Sequence, residues 1–125
     1  MAHVYPFFID HMKKYGRVMT EHIGNAAMSP KGEELTDIEI YERDLEWLRA
    51  SDIIVAEVSH PSLGVGYELA YAESIGKPIL ALFNNKSAFR LSAMVAGCSN
   101  MEVFRYDDVE HATERIDNFF GKNLI

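Results

Sequence analysis

Cysteine is almost absent from this chain of 125 residues: Cys98 stands alone, which excludes an intrachain disulfide and any cysteine-based metal site. The same scarcity fits a reducing compartment. No apolar run approaches the roughly 20 residues needed to span a bilayer. The apolar N-terminal stretch carries His3, Pro6 and Asp10, which a secretory signal peptide would not tolerate in its core. The expected setting is therefore cytoplasmic, with the nucleus as an alternative. An excess of basic residues is also missing. With 12 Lys and Arg against 19 Asp and Glu, the net charge is −7, and the cations are scattered. A nucleic-acid partner would require a basic face to neutralise phosphates, so none is expected. A small phosphorylated ligand stays possible, since helix N-termini and backbone amides bind phosphate without net positive charge.

What is present suits one globular domain over residues 1–125: 48% hydrophobic and 25% charged residues, without repeats or low-complexity tracts. Apolar runs alternate with helical patterns, the signature of an α/β fold with a parallel sheet. Residues 3–14 read as a helix closed by Gly16, 17–22 as a short strand, and 24–34 as a loop punctuated by Asn25, Pro30 and Gly32. Thr36 is placed to cap a helix to about Ala50, with Glu39 completing a capping box. Strands are expected over 53–58 and 78–83, with a helix over 65–75 between them ended by Gly76. A short helix over 91–96, an edge strand over 102–106 and a last helix over 109–120 complete the pattern.

Chemistry concentrates in the segment Pro61 to Ala70, PSLGVGYELA, between an apolar strand and a helix. Ligands of open α/β sheets bind beyond the carboxyl ends of the strands, where this loop falls. Gly64 and Gly66 allow close backbone approach, although two glycines also suit a tight turn. Val65, Leu69, Ala72 and Ile75 form the helix's apolar stripe, and Glu68 falls inside it, in what reads as the first turn. A carboxylate there costs several kcal/mol unless it is paired or has a task; it is either a capping or salt-bridged glutamate or a functional one. In the preceding helix Ile38, Tyr41, Leu45 and Leu48 are expected to form the buried face, with Asp44 on its edge. Asp44 is either an exposed partner of Arg43 or Arg49, or the second member of a carboxylate pair of the kind glycosidic chemistry uses. Weaker candidates are Thr20, Glu21 and His22 at a strand end, and Ser92 and Met94 in the short helix LSAM, where a capping serine is the ordinary reading. Glu57 either lines a site or sits at an exposed strand end, and Asp52 reads as turn chemistry.

The strings DLEWL at 44–48, VAEV at 55–58, PSLGVGYEL at 61–69, GKPIL at 76–80 and LSAM at 91–94 resemble the 2'-deoxynucleoside 5'-phosphate N-hydrolases, within the wider nucleoside 2-deoxyribosyltransferase family. The resemblance implies a flavodoxin/Rossmann-like parallel sheet with helices on both faces. It implies hydrolysis of the N-glycosidic bond of 2'-deoxynucleoside 5'-monophosphates, without metal or organic cofactor. Glu68 would be the nucleophile that carries a covalent deoxyribosyl intermediate, and Asp44 would orient it and support proton delivery to the departing base. Ser62 and Gly64 would hold the 5'-phosphate. Ser92 and Met94 would reach the ligand from the partner subunit of a homodimer with a shared active site, and His22 would line the base or sugar side. The related transferases carry an acidic residue at the position of Ser62; a hydroxyl there suits a phosphate, which a carboxylate would repel.

The family opens with a strand and a Gly-Ser-x-Arg-Gly-Gly type phosphate loop that the first residues of this chain do not match. In the strand order 2-1-3-4-5 that strand is central. Its absence predicts a gap between the strands at residues 17 and 53, and hence a marginal sheet. Two alternatives stand beside the hydrolase: a deoxyribosyltransferase acting on unphosphorylated nucleosides, and a catalytically inactive nucleotide-binding or interaction subunit.

Overall fold

The computed structural model describes residues 18–20 and 35–123. Four strands, β1 (Val18–Thr20), β2 (Ile53–Glu57), β3 (Ile79–Asn84) and β4 (Glu102–Tyr106), form one sheet in the order β1-β2-β3-β4 with every pairing parallel. Four helices accompany them among the described residues: α1 (Asp37–Ala50), α2 (Leu63–Ser74), α3 (Ala93–Ala96) and α4 (Val109–Asn123). The α/β class, the parallel sheet and the edge position of β4 are as the sequence predicts. The gap is not. Val18, Met19 and Thr20 pair directly with Ile53, Ile54 and Val55. A ladder amide left unpaired in the interior costs about 1–3 kcal/mol, and direct pairing of β1 with β2 removes that cost. The helix expected at 3–14, the loop at 24–34 and His22 lie outside the described residues.

The pleat sorts the core onto two faces. Ile53, Val55, Leu80 and Leu82 point to one side and pack with Ala112, Ile116, Phe119 and Phe120 of α4. Ile54, Ala56, Ile79, Ala81 and Phe83 point to the other, against Leu45 and Leu48 of α1, Val65, Leu69 and Ala72 of α2, and Val95 of α3. Strands covered on both faces must be apolar throughout, which explains the unbroken runs IIVA and ILALF. Among the described helices, α1 to α3 therefore share one face and α4 covers the other.

Local signals fix the helix ends. Thr36 Oγ1 accepts from the Glu39 amide at 3.1 Å while the Thr36 amide donates to Glu39 Oε1 at 2.9 Å, the expected reciprocal box. The bond from the Thr36 amide, with the Thr36 hydroxyl beside it, holds the Glu39 carboxyl below its ordinary range. Gly76, at φ 76°, lets the chain turn out of α2 with its amide on the Glu73 carbonyl. Three expectations of burial fail. Ile38 and Tyr41 are 69% and 49% exposed, because only Leu45 and Leu48 of the α1 stripe reach the sheet; Ile75 is likewise exposed at the end of α2. Among the described residues no helix is long and apolar enough to cross a membrane.

On β4, Glu102 receives Arg115 at 3.0 Å and Lys122 at 2.6 Å from α4. Burial by itself would raise this carboxyl, but the hydrogen bonds from Lys122 and Arg115 outweigh it and hold the group below its usual range. A depressed native value means stability that is present above the unfolded value and lost as pH falls through the native one. Glu102→Gln is expected to cost roughly 0.5–1 kcal/mol near neutral pH. That difference should fade in the acid limb of a urea-unfolding series.

Candidate active site

The carboxyl ends of β2 and β3 open onto the first turns of α2, and two clefts flank those turns. The sequence places α2 from residue 65, but the helix starts two residues earlier. Ser62 is its N-cap and accepts from the Val65 amide at 3.2 Å, and the Gly66 amide donates to the Ser62 carbonyl. Gly64 and Gly66 thus lie in the helix's opening turns rather than in a loop. A side chain at Gly64 would meet nothing within 4 Å, so its bare backbone faces open space, as a site for close ligand approach requires. The earlier start also moves Glu68 out of the first turn, where the helix dipole acts most strongly.

The first cleft, of about 380 Å³, is lined by Tyr41, Asp44 and Leu45 of α1 and by Leu63, Gly64, Tyr67 and Glu68 of α2. Glu68 shares the buried face of α2 with Val65, Leu69 and Ala72, as the periodicity predicts. Asp44 and Glu68 are each only 6% exposed. Two buried carboxylates therefore meet one concavity at the α1–α2 contact. The ordinary reading of Asp44 is half met: Arg43 does bind it, with Nε and Nη2 each 3.2 Å from Oδ1, but Asp44 is buried rather than exposed. The Arg43 guanidinium also lies over the Trp47 ring at 4.7 Å, which limits its freedom.

Tyr41 and Tyr67 form a lip over these carboxylates. Their rings meet edge to face at 6.2 Å and their hydroxyls lie 3.4 Å apart. The hydrogen bond to Tyr67 raises the Tyr41 phenol above its ordinary range, so Tyr41 stays neutral at physiological pH. Sequence reasoning assigned Tyr41 to the core and passed over Tyr67. The available signal was spacing: Tyr41 stands three residues before Asp44 and so shares its side of the helix.

The second cleft, of about 520 Å³, is lined among others by His60, Ser62, Leu63, Arg90, Ser92 and Met94. Ser62, Ser92 and Met94 thus meet at one concavity within a single chain, and Leu63 borders both clefts. Ser92 caps α3 by accepting from the Met94 amide at 3.2 Å, the ordinary role for a serine there. Arg90 and His60 were not singled out by the sequence reading, and an isolated cation or imidazole in a loop gives little to find it by. Glu57 lines neither of these two clefts and does not sit exposed. It is 3% exposed at the end of β2 and accepts from Ser59 and Tyr106. Among the described residues no three His, Cys, Asp or Glu side chains gather to hold a metal ion.

Residues 2–118 match the family model described as nucleoside 2-deoxyribosyltransferase. The chain belongs to this family. It is 46% identical over 121 residues to the mouse 5-hydroxymethyl-dUMP N-hydrolase, covering 95% of this chain and 69% of the mouse protein. It is 46% identical over 121 residues to the putative 2'-deoxynucleoside 5'-phosphate N-hydrolase 1 of Trichoplax adhaerens, covering 95% of this chain and 83% of that one. Identity to the human 5-hydroxymethyl-dUMP N-hydrolase is 40% over 121 residues, 94% of this chain and 70% of the human one. Among solved structures, the CMP N-glycosidase of Clostridium botulinum superposes with a TM-score of 0.57 at 18% identity, over 71% of this chain and 75% of that chain. At that identity the likeness concerns the fold.

The cap bonds of this family member give a direct test of local structure. Ser62→Ala should cost about 1 kcal/mol, because α2 loses an N-cap acceptor over three turns of helix. Ser92→Ala should cost less, since α3 is a single turn. Denaturant unfolding of the two variants measures the difference, and equal losses would contradict the capping account.

Proposed function

We propose that this protein hydrolyses the N-glycosidic bond of 2'-deoxynucleoside 5'-monophosphates to free base and 2-deoxyribose 5-phosphate. The observation that carries the reading is the pair of buried carboxylates, Asp44 and Glu68, meeting at one cleft with Gly64. The N-hydrolase names of the relatives point the same way.

In this reading a Glu68 oxygen attacks C1' of the sugar, the C1'–N bond breaks, and the base departs as it takes a proton delivered through Asp44. A water then attacks C1' of the glycosyl–Glu68 ester, gives a proton back to Asp44 and frees the carboxylate. Tyr41 and Tyr67, partly apolar, wall the cleft beside the two carboxylates. The 5'-phosphate is held around the first turn of α2 by the Ser62 hydroxyl and the backbone at Gly64, with Ser92 of the partner subunit reaching the same group. A hydroxyl at Ser62 favours a phosphorylated substrate over the neutral nucleosides of a transferase. The protein acts as a homodimer in which Ser92 and Met94 serve the partner's site. Support comes from the apolar surface beside the second cleft, where Leu63 and Met94 are 95% and 83% exposed. His22 completes the sugar or base side. The domain works in a cytoplasmic or nuclear setting.

The test is incubation of purified protein with several deoxynucleoside monophosphates while free base is followed, with and without an acceptor base. Base release that does not depend on an acceptor supports the hydrolase; release only with an acceptor supports the transferase. Glu68→Ala should abolish release with its thermal transition retained, and Asp44→Asn should lower kcat by about 10²–10⁴-fold. Turnover by Glu68→Ala at the rate of the unmodified protein would eliminate the nucleophile assignment.

A further inference from the structure

Glu57 is a buried carboxylate that the reaction above does not use, and its bonds explain why the segment leading to Ser62 is fixed in place. Its Oε2 accepts from the Tyr106 hydroxyl of β4 and from Ser59 Oγ, both at 2.6 Å, and its Oε1 accepts from the Ser59 amide at 2.9 Å. Ser59 is fully buried and bonded on every side. Its Oγ also accepts from the Asn84 amide of β3 at 2.8 Å, and its carbonyl accepts from Ser87 Oγ at 2.6 Å. The ends of β2, β3 and β4 are thereby joined through the Glu57–Ser59 pair.

Only His60, Pro61 and Ser62 separate this pinned point from the first residue of α2. Pro61 has a nearly fixed φ, which removes one of the few torsions left to the segment. Ser62 is held at its other end by the cap bond to Val65. We propose that Glu57 and Ser59 are positioning residues for phosphomonoester recognition, setting where the Ser62 hydroxyl stands. The proposal deepens the functional reading above and rests on it: the group positioned is the 5'-phosphate end of the substrate, not the reacting carbon. A displacement of the donor by a fraction of an ångström to an ångström weakens phosphate binding. The geometry at Asp44 and Glu68, carried by the helix bodies, is preserved.

The distinguishing measurement is substrate preference. The unmodified protein, Ser59→Ala, Glu57→Gln and Tyr106→Phe are assayed with a 2'-deoxynucleoside 5'-monophosphate and with the matching unphosphorylated 2'-deoxynucleoside. Ser59→Ala and Glu57→Gln are expected to raise KM for the monophosphate about tenfold or more, as displacements of this size do. Their kcat and their kcat/KM for the unphosphorylated nucleoside should change little. Tyr106→Phe breaks the tether to β4 but leaves Ser59 bonded to Glu57 and β3, so it should lower thermal stability and keep the preference. A purely structural role would instead lower activity on both substrates in equal proportion, which would overturn the proposal. If Glu57→Gln does not fold, Ser59→Ala decides, since it removes one oxygen and leaves the Ser59 backbone bonds in place. An unmodified protein with no preference for the monophosphate refutes the functional reading and this proposal with it. A preference that survives in Ser59→Ala refutes the positioning role alone.

Discussion

Glu57 and Ser59 together tie the ends of three strands, and the placement of the loop before α2 depends on that pair. A carboxylate taken out of water must recover its lost hydration from donors inside the protein, or the site is unstable. Here three donors supply it: two from Ser59, two residues along, and one from Tyr106, on the far edge strand. Because such bonds are strong only at good geometry, the requirement works in reverse as well. The buried carboxyl group obliges Ser59 and Tyr106 to stay where they are. Ser59 in turn satisfies the Asn84 amide, which the β3 ladder would otherwise leave at its end. One acidic residue at the close of an apolar strand thus orders the carboxyl edge of the sheet.

The second constraint is the α1–α2 contact. Leu45, Leu48, Val65, Leu69 and Ala72 bury their side chains against the same sheet face. That packing brings Asp44 and Glu68 to one cleft, each at the margin of an apolar stripe. The arrangement has a cost, since burying two carboxylates near each other opposes folding through both desolvation and repulsion. Arg43 offsets part of it by holding Asp44 Oδ1 while its guanidinium lies over Trp47. Strain of this kind is retained where a site needs it, and the apolar packing of α1 and α2 is what keeps the two carboxylates from moving apart.

How much of this was legible in the sequence depends on the range of the interactions. The capping box at Thr36 and Glu39, the helix stop at Gly76 and the two-faced apolar strands are local or periodic, and they were read correctly. Glu68 inside its stripe was likewise a matter of angle. Tyr41 and Ile38 were misplaced because a helical wheel gives the side of a helix, not how far along its length a neighbour covers it. The α2 start was set two residues late because Leu63 and Gly64 read as loop, while the Ser62 cap that recruits them shows only in the bond to Val65. The gap between the strands at residues 17 and 53 was inferred from a strand order, whereas a parallel ladder forms between whichever strands lie adjacent. Tyr106 is 49 residues from Glu57 and Asn84 is 25 from Ser59, so no spacing rule could have paired them.

A chain of net charge −7 that takes a phosphate dianion cannot rely on its overall field, which opposes the encounter. In the proposed reaction recognition has to come from short-range donors, and the side-chain donors stand apart from the acidic pair, while the Gly64 backbone borders the acidic cleft. The hydroxyls of Ser62 and Ser92 and the Arg90 side chain line one cleft; Asp44 and Glu68 line the other; the first turn of α2 stands between, with Leu63 on both. That partition follows from helix geometry. A cap residue and a residue six positions further along lie on different sides of the helix and roughly two turns apart along its axis. A substrate bound across the turn therefore keeps its phosphate away from the carboxylate that must attack its sugar. Repulsion between the two anions, which would otherwise weaken binding, is reduced by distance and by the apolar body of the helix end. In that proposed reaction the same spacing would make the orientation of the substrate a consequence of where Ser62 stands, and so of the buried bonds that fix the residues before it.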